Sequence, residues 1–471
     1  MLNVTGRPLK AGIVVAAVLA VGLGAVMVFG GQKDVPAPDK EQPENMTEKP
    51  VEDGNETELV YAVHWVKSYQ INGTRYENGS IKEKGLKQYV REYEETHPNI
   101  DIKIKQIEYG NYANRLETLH KTGQAPDIYQ IYSTWGPSYV RQGMLDEPPA
   151  DIKEDVRNNY ITTAGVTINN TIWGVPTEVN DYALLYNKEI LREAGVVDEN
   201  GNADPPETWS ELIDVAVKTT KTDEQGNIKQ YGFAFLRGQT FGVVDPYLSL
   251  AYSNNAQYVS DDYTHCRINS SAGVEALKAT TKLFEKNATT LNADMWEFGE
   301  QKNVAMVIAA PWTEGTFREG FGNKFDKKVG VAPVPYMEKP ASLQYSWFMG
   351  VMNQSEHKEE AWNFLRWFAT DVREETGTTR YGDLLARNIG AIPSRRSDIE
   401  NNQDVLNTSF KSTYVEQLNN SVPEPTIMEA SNAKGILMNE IQSAWSGEKT
   451  EEEALDSACR RINSILSRQY Q

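Results

Sequence analysis

Residues 173–196 read WGVPTEVNDYALLYNKEILREAGV, residues 205–220 read PPETWSELIDVAVKTT, and residues 231–235 read YGFAF. The first segment has the pattern of a strand ending in Tyr-Asn, followed by a short helix that a glycine closes. In the second segment, Thr208 and Glu211 form a Thr-x-x-Glu capping box, a signal for the start of a helix. Apolar residues then share one helical face: Trp209, Leu212, Ile213, Ala216 and Val217. Strands thus alternate with helices here, which predicts an α/β fold.

The same alternation extends toward the N-terminus. Leu59–Val63 is a short apolar run, and residues 100–104 alternate isoleucine with polar residues, so both are predicted strands. A helical pattern lies between them, and a second one at residues 112–122 precedes a predicted strand at Ile128–Tyr132. A strand, a helix and a strand in succession form the βαβ unit of a largely parallel sheet. Such sheets bind ligands at the C-terminal ends of their strands.

Later segments continue the pattern. Strands are predicted at Val304–Ala309 and Val329–Val334, and helices from Ser271 to Asn287, His357 to Thr370, Ala433 to Trp445 and Glu451 to Arg468. Three tryptophans in predicted helices are expected in the core: Trp209, Trp362 and Trp367. The chain shows no internal repeat and no coiled-coil heptad, which disfavours a surface-layer or adhesion protein.

The N-terminal region predicts a membrane anchor. Residues 11–31 carry no charge and are long enough to cross a hydrocarbon core about 30 Å thick. Arg7 and Lys10 precede them, so residues 1–10 are expected in the cytosol and the rest outside. A cleaved signal peptide is the alternative, although its apolar region is normally shorter. Residues 32–58, rich in Pro and Glu, are predicted to form a disordered stalk.

Composition narrows the partners. The formal charge of −19 and the pI near 4.9 disfavour nucleic acid, which requires clustered Lys and Arg. The five histidines and two cysteines show no metal-ligand spacing, and no cofactor motif is present. Cys266 and Cys459 could pair in an oxidising compartment, but two buried thiols are an equal alternative.

Asn-x-Ser/Thr sequons support export. They begin at Asn3, Asn45, Asn55, Asn72, Asn78, Asn169, Asn269, Asn287, Asn353, Asn407 and Asn419. Eleven sequons exceed the roughly five expected by chance, although Asn3 would be cytosolic. The alternative is a polar surface that is simply rich in Asn and Thr. A glycosylated prokaryotic surface protein would point to an archaeon.

Five further segments follow one another in a family-specific order. They are APDIYQIYSTWGPSYVRQGML (125–145), NVAMVIAAPWTEG (303–315), VGVAPVP (329–335), SWFMGVMNQSEHKEEAWNFLRWF (346–368) and NIGAIPSRRS (388–397). Together with the middle segments, they resemble the family-1 extracellular solute-binding proteins of ABC importers, which include maltose- and trehalose-binding proteins. The resemblance covers most of residues 59–471.

This resemblance implies a two-lobed periplasmic-binding-protein fold of type II, preceded by the N-terminal transmembrane helix. Crossings near residues 179, 331 and 372 give a first lobe of residues 59–179 plus 332–372. The second lobe is then residues 180–331 plus 373–471. The lobes are expected to close on a ligand by a hinge motion, and the closed monomer would dock on the membrane permease of an importer.

Candidate ligand-binding residues combine aromatic platforms with planar polar groups, because sugars present apolar C–H faces ringed by hydroxyls. Tyr132, Ser133, Thr134 and Trp135 end a predicted strand, at the edge where ligands bind. Alternatively, Trp135 packs beneath its own loop. Asn180 and Asp181 lie at the first crossing, where the family often places a carboxylate or amide facing the cleft. Alternatively, they form a hinge turn.

Four further candidates come from the other strand ends. Trp312 and Glu314 follow an apolar strand through Pro311, and Trp312 matches a stacking tryptophan of the family. Trp65 ends the first strand beside His64, which is expected to be a hydrogen-bonded loop residue. Trp347 precedes a returning strand and either lines the cleft or packs beside it. Glu178, Arg237 and Asp245 are possible polar partners whose direction the sequence does not fix.

The sequence therefore predicts capture of a neutral oligosaccharide, without chemical conversion. A binding protein for a peptide, a polyamine or an anion would have the same lobes and a different pocket. A glycoside hydrolase would need two carboxylates opposed at about 5 to 9.5 Å, and Asp181 and Glu314 could approach each other on closure. Neither carries a local signature of a tuned acid, and no hydrolase or phosphate-loop motif is present.

Overall fold

The computed structural model describes residues 56–76, 79–299 and 301–469. The predicted cytosolic segment, the anchor at residues 11–31 and nearly all of the predicted stalk lie outside this part. Within the described ranges, no helix is both long enough and apolar enough to cross a bilayer. The first strand begins at Thr57, one residue before the predicted end of the stalk.

The strands of the described part form two larger sheets and two short hairpins. They are β1 (Thr57–Val63), β2 (Thr74–Arg75), β3 (Ile81–Glu83), β4 (Ile100–Gln106), β5 (Ile128–Tyr132), β6 (Thr167–Ile168), β7 (Thr171–Ile172), β8 (Val175–Asn180), β9 (Ala183–Asn187), β10 (Lys221–Thr222), β11 (Ile228–Phe233), β12 (Val304–Ala309), β13 (Val329–Ala332), β14 (Ser342–Val351) and β15 (Ser421–Pro423).

The helices occupy the connections, as the βα pattern predicts. They are α1 (Ser68–Asn72), α2 (Leu86–Thr96), α3 (Tyr109–Lys121), α4 (Gly136–Arg141), α5 (Ala150–Asn159), α6 (Lys188–Glu193), α7 (Trp209–Thr219), α8 (Thr240–Ser253), α9 (Ser271–Glu285), α10 (Glu314–Phe321), α11 (Phe325–Lys328), α12 (Lys358–Leu365), α13 (Arg380–Asp383), α14 (Arg396–Asn401), α15 (Gln403–Leu406), α16 (Ser412–Gln417), α17 (Ala430–Trp445) and α18 (Glu451–Gln469). Short 3₁₀ turns at Ser133–Trp135 and Pro311–Thr313 follow β5 and β12.

The first sheet has the strand order β15-β14-β5-β1-β4, and β8 also pairs with β14. Strands β1, β4 and β5 are parallel, so their C-terminal ends lie at one edge. Strand β14 runs antiparallel to β5 and places Trp347 opposite Tyr132. It also runs antiparallel to β8 and places Tyr345 opposite Asn180. The register therefore brings several predicted site residues to this edge.

The second sheet has the order β10-β11-β12-β9-β13. Strands β11 and β12 are parallel, while β9 is antiparallel to both β12 and β13. The chain passes from β8 in the first sheet to β9 in the second within residues 180–183. Asn180 and Asp181 therefore lie where one sheet gives way to the other.

Each sheet has its own hydrophobic core. The core on the first sheet includes Tyr61, Tyr112 and Phe348 and extends along the chain to residues 381–391. The second sheet is covered on both faces, on one side by α7, α8, α9, α17 and α18 and on the other by a cluster reaching Phe410 and Tyr414. Of the three tryptophans expected in the core, Trp209 and Trp362 are buried and Trp367 is half-buried.

Local signals in the sequence are confirmed at the start of α7. The Thr208 hydroxyl accepts a hydrogen bond from the Glu211 amide at 3.3 Å, and the Glu211 carboxylate accepts one from the Thr208 amide at 3.0 Å. The capping box therefore satisfies two backbone donors that no helical turn can reach. Of the two alternatives for the cysteines, a disulfide and two buried thiols, the structure shows the disulfide between Cys266 and Cys459.

Candidate ligand-binding site

Six rings gather at the C-terminal edge of the first sheet and are named here the aromatic cluster: His64, Tyr109, Tyr132, Trp135, Tyr345 and Trp347. Trp347 lies at its centre. Its ring centroid is 4.1 Å from His64, 5.3 Å from Tyr132 and 5.4 Å from Trp135. The structure therefore brings together the predicted residues Tyr132, Trp135 and Trp347.

The other predicted residues of the first sheet lie around this cluster. Trp65 is buried and stacks on Tyr381, with ring centroids 6.1 Å apart. Ser133 and Thr134 are buried in the 3₁₀ turn that carries Trp135. The Ser133 side chain packs against Gly165, where an added Cβ would lie within 3.0 Å of it. These three residues therefore support the cluster from beneath rather than forming its exposed surface.

The crossing from β8 to β9 supplies hydrogen-bond acceptors. Asn180 donates to the Glu178 carboxylate at 3.3 Å, while its own Oδ1 is buried without a hydrogen-bond partner. Asp181 is fully buried, and neither carboxylate oxygen has a partner. Burial raises the pKa of Asp181 well above its ordinary value and raises the pKa of Glu178 to about 7.

Trp312 comes from the second sheet, in the 3₁₀ turn after β12. Its side chain is 45 % exposed, and its ring lies 5.5 Å from Phe241 and 6.0 Å from Trp296. Burial raises the pKa of Tyr345 well above its ordinary value, and the neighbouring Trp312 indole acts in the opposite direction. The Trp312 indole therefore lies close to the Tyr345 hydroxyl of the aromatic cluster, while its ring contacts are with Phe241 and Trp296.

Glu314 is engaged elsewhere. It begins α10, accepts a hydrogen bond from Arg318 Nε at 2.8 Å, and lies 3.8 Å from the Lys411 ammonium. Two cations of the chain therefore balance this carboxylate. The role of Glu314 in ligand binding stays a prediction.

Three buried charges lie beside the cluster and are named here the ion network: Asp245, which the sequence suggested as a polar partner, and Glu424 and Lys434, which sequence reasoning missed. The Lys434 ammonium lies 2.5 Å from Asp245 and 2.7 Å from Glu424. Burial alone would lower the pKa of Lys434, but the two carboxylates outweigh it and raise that pKa. The members come from α8, the end of β15 and α17, so no local pattern could reveal them.

Tyrosines join the ion network to both sheets. The Tyr132 hydroxyl donates to Glu424 at 2.7 Å, and the Tyr182 hydroxyl donates to Asp245 at 2.5 Å. Burial raises the pKa of Tyr109, and the three charges of the network also act on it. The network therefore lies next to the aromatic cluster. Tyr345 and Trp347 are two residues apart on β14, and this spacing is the sequence signal that both rings lie on the same face of the sheet.

Two cavities lie outside this region. One, of about 590 Å³, is lined by Tyr252, Tyr258, Tyr263, Lys339 and Pro423 among others. The other, of about 410 Å³, lies along Pro205, Pro333, Tyr336 and Gln417. Neither contains a member of the aromatic cluster. The cluster remains the candidate site because it groups six rings beside buried acceptors that lack a hydrogen-bond partner.

The profile of the bacterial extracellular solute-binding protein family matches residues 78–372. The maltodextrin-binding protein of Bacillus subtilis is 20% identical over 407 residues, covering 82% of this chain and 89% of that protein. The sn-glycerol-3-phosphate-binding periplasmic protein of Pectobacterium atrosepticum is 23% identical over 401 residues, covering 78% and 85%.

Among solved structures, a receptor of Streptomyces glaucescens, determined unliganded and with acarbose, superposes with a TM-score of 0.69. It is 19% identical, and the match covers 87% of this chain and 98% of that one. The likeness shows the two-lobed α/β fold of solute-binding proteins, which the sequence predicts. Because the family profile spans more than half of the sequence, the chain belongs to the bacterial extracellular solute-binding protein family.

Proposed function

We propose that this protein is the extracytoplasmic substrate-binding subunit of an ABC importer and captures a carbohydrate, an oligosaccharide, between its two lobes. The observation that carries the proposal is the gathering of the aromatic cluster beside the crossing between the two sheets, where Asn180 Oδ1 and Asp181 lack hydrogen-bond partners. The closed lobes then deliver the sugar to the membrane permease. Capture without conversion suits the family, whose named relatives are binding proteins.

The chemistry of the site suits a sugar. Aromatic faces stack on the C–H faces of a pyranose, and buried acceptors pair with its hydroxyls. Asn180 Oδ1 and the Asp181 carboxylate are acceptors that no group of the described chain satisfies. A buried polar atom without a partner costs about 1 to 3 kcal/mol, so a hydroxyl-bearing ligand gains by filling both positions.

A phosphate-bearing ligand such as glycerol phosphate is the alternative that one relative's name suggests. Recognition of a phosphate requires uncompensated cations. Here Lys434, the cation beside the cluster, is already held by two carboxylates, and Glu178 adds a further acidic group. An anion would therefore be repelled. This charge balance favours a neutral or cationic ligand.

A hydrolase is disfavoured by the state of the two carboxylates it would use. Glu314 is balanced by Arg318 and Lys411, so it does not face a substrate in the cleft. The pair of Asp181 and Glu314 is therefore not available for the work of acid and nucleophile.

The lobes of this proposal follow the cores. Residues 381–391 pack with the first sheet and residues 410–418 with the second. We therefore place the third crossing after residue 391 instead of near residue 372. The crossings near residues 179 and 331 stay as predicted. Closure of the lobes would bring Trp312 and Tyr345 onto opposite sides of the ligand.

The proposed setting is the outer face of the cell membrane, with residues 11–31 as an uncleaved anchor. All seven sequons whose asparagine is described have an exposed acceptor, namely Asn72, Asn169, Asn269, Asn287, Asn353, Asn407 and Asn419. Exposure is what glycan attachment requires, so glycosylation belongs to the proposal. The mass of the mature protein reports both the retained N-terminus and the attached glycans.

Thermal-shift screening tests the function. We expect stabilisation by members of an oligosaccharide panel and none by amino acids, peptides or glycerol phosphate, because a ligand that binds only the folded state raises its melting temperature. Stabilisation by a non-sugar ligand alone would remove the carbohydrate proposal, and release of product from a bound glycan would revive the hydrolase.

Removing one stacking ring should weaken sugar binding. We expect Trp312→Ala and Trp135→Ala each to cost about 1 kcal/mol or more, because each deletes a ring face that the ligand would cover. Isothermal titration with the tightest sugar of the panel measures the loss. Tyr76→Ala is the control, since Tyr76 is an exposed ring outside the cluster. Unchanged affinity in both tryptophan variants would show that the site lies elsewhere.

A further inference from the structure

Glu178 lies beside the crossing from β8 to β9, and no cation of the described residues balances its carboxylate. It lies on β8, is partly exposed, and accepts one hydrogen bond, from Asn180 at 3.3 Å. Among the described residues, no Lys, Arg or His forms an ion pair with it, and burial is the main influence on its pKa. By contrast, the chain supplies cations for Glu314, Asp245 and Glu424.

Aromatic rings flank this carboxylate. The charge of Glu178 acts on the hydroxyls of both Tyr345 and Tyr381. Trp65 stacks on Tyr381, and the ring centroid of Tyr132 lies 6.0 Å from that of Tyr345. The register of β8 and β14 places Tyr345 opposite Asn180, whose side chain donates to Glu178. Aromatic rings beside a carboxylate can stabilise an organic cation, through charge and through the ring quadrupoles together.

The surrounding charge points the same way. The ion network holds two carboxylates and one ammonium, and both Asn180 Oδ1 and Asp181 present acceptors. The titratable groups facing this region from other elements are Tyr345, Tyr381 and His64. Burial lowers the pKa of His64 to about 4, so the imidazole is neutral near pH 7 and does not repel a cation.

We propose that the captured saccharide carries an amino group, bound as its ammonium by Glu178 between Tyr345 and Tyr381. This inference rests on the proposed function and names the class of sugar. The ammonium supplies the donors and the positive charge that this position lacks. A neutral sugar would satisfy the acceptors and leave the charge of Glu178 uncompensated.

Binding of the ammonium should depend on pH. Because the pKa of Glu178 is raised to about 7, the carboxylate is largely protonated at pH 6 and ionised at pH 8. The amine of a 2-amino sugar loses its proton only slightly above this pH, so affinity for an amino sugar should be greatest between about pH 7 and 8 and fall on both sides. Affinity for the matching neutral sugar should change little over the same interval.

Matched sugar pairs test the proposal on the purified full chain. The probes are glucosamine with glucose, galactosamine with galactose, mannosamine with mannose, and the glucosamine trimer with cellotriose, each titrated by calorimetry at pH 7.5. In at least one pair, the amino sugar should bind at least tenfold more tightly than its hydroxyl partner. The N-acetylated form keeps the substituent but not the charge, so it should lose the preference.

Glu178→Gln removes the charge and preserves the shape. It should abolish the preference for the amino sugar, so that the ratio of the two affinities falls close to one whatever the change in either affinity alone. Glu452→Gln is the control, because Glu452 is a surface carboxylate paired with Lys278. It should leave the preference intact.

Two results would overturn the inference: no pair prefers its amino member, or the preference survives Glu178→Gln. If neutral sugars bind without any such preference, the ammonium site is wrong and the carbohydrate proposal stands. If no sugar binds and a non-sugar ligand does, both proposals fail.

Discussion

Replacing Lys434 with methionine is expected to lower the free energy of unfolding by about 3 to 5 kcal/mol. The ammonium lies between Asp245 and Glu424, and all three side chains are at most 7 % exposed. Methionine fills a similar volume, so the loss measures charge rather than packing. Removing the single cation would leave two carboxylates buried without compensation, which is far costlier than losing a surface pair.

The control is Lys278→Met, which breaks a surface pair with Glu452 and should cost less than about 1 kcal/mol. Urea unfolding of the two variants and the parent gives the comparison. The difference between Lys434→Met and the parent should shrink as the pH falls. In the variant, the folded-state pKa of the buried carboxylates is raised, and protonation removes their uncompensated charge. A cost below 1 kcal/mol at pH 7 would contradict the assigned network.

Local patterns allowed most of the fold to be predicted. The predicted strand Ile128–Tyr132 coincides with β5, and Val304–Ala309 coincides with β12. The capping box located the start of α7 because its two hydrogen bonds are made within four residues. Such signals depend only on residues that are close in sequence, so they can be recognised without knowledge of the tertiary packing.

The candidate site could be predicted from the sequence only for residues that lie at or next to strand ends. Tyr132, Trp135 and Trp347 meet because β5 and β14 are neighbours, and a ligand edge follows from parallel strands. Trp65 is buried and its ring stacks on Tyr381 within the first core, so its part in ligand binding stays a prediction. Its partner lies more than three hundred residues away, so the sequence near Trp65 holds no sign of the contact.

Charge was the least predictable property of the cleft. Glu314 sits at the position expected for a cleft acid, yet Arg318, one helical turn later, accounts for its charge. Lys434 lies within an amphipathic helix, and its sequence neighbours suggest a surface residue. In the structure, Asp245 of α8 and Glu424 at the end of β15 lie beside its ammonium. Whether a charge faces a ligand is decided by elements distant in sequence, and it also decides which ligand the site accepts.

Opening the disulfide is the second change expected to have a large effect. Cys266 lies in the connection between α8 and α9, and Cys459 lies within α18, 193 residues later. In the chain-entropy account, cross-linking so long a loop in the unfolded chain raises the free energy of unfolding by about 5 kcal/mol. Measured stabilisation by disulfides is typically about 2 to 4 kcal/mol. The Cys266→Ala/Cys459→Ala double variant should therefore lose about 2 to 5 kcal/mol of unfolding free energy.

Reduction of the parent protein provides the matched comparison for the double variant. The native contacts around the bridge persist without it, because the Cys266 amide donates to Asn463 Oδ1 at 2.7 Å and both cysteines lie in the core of the second sheet. The folded lobe should thus be retained, with sugar affinity within about twofold of the parent, since disulfides act mainly on the unfolded chain. Free thiols labelled in the untreated protein, or a loss below 1 kcal/mol on reduction, would contradict the bridge.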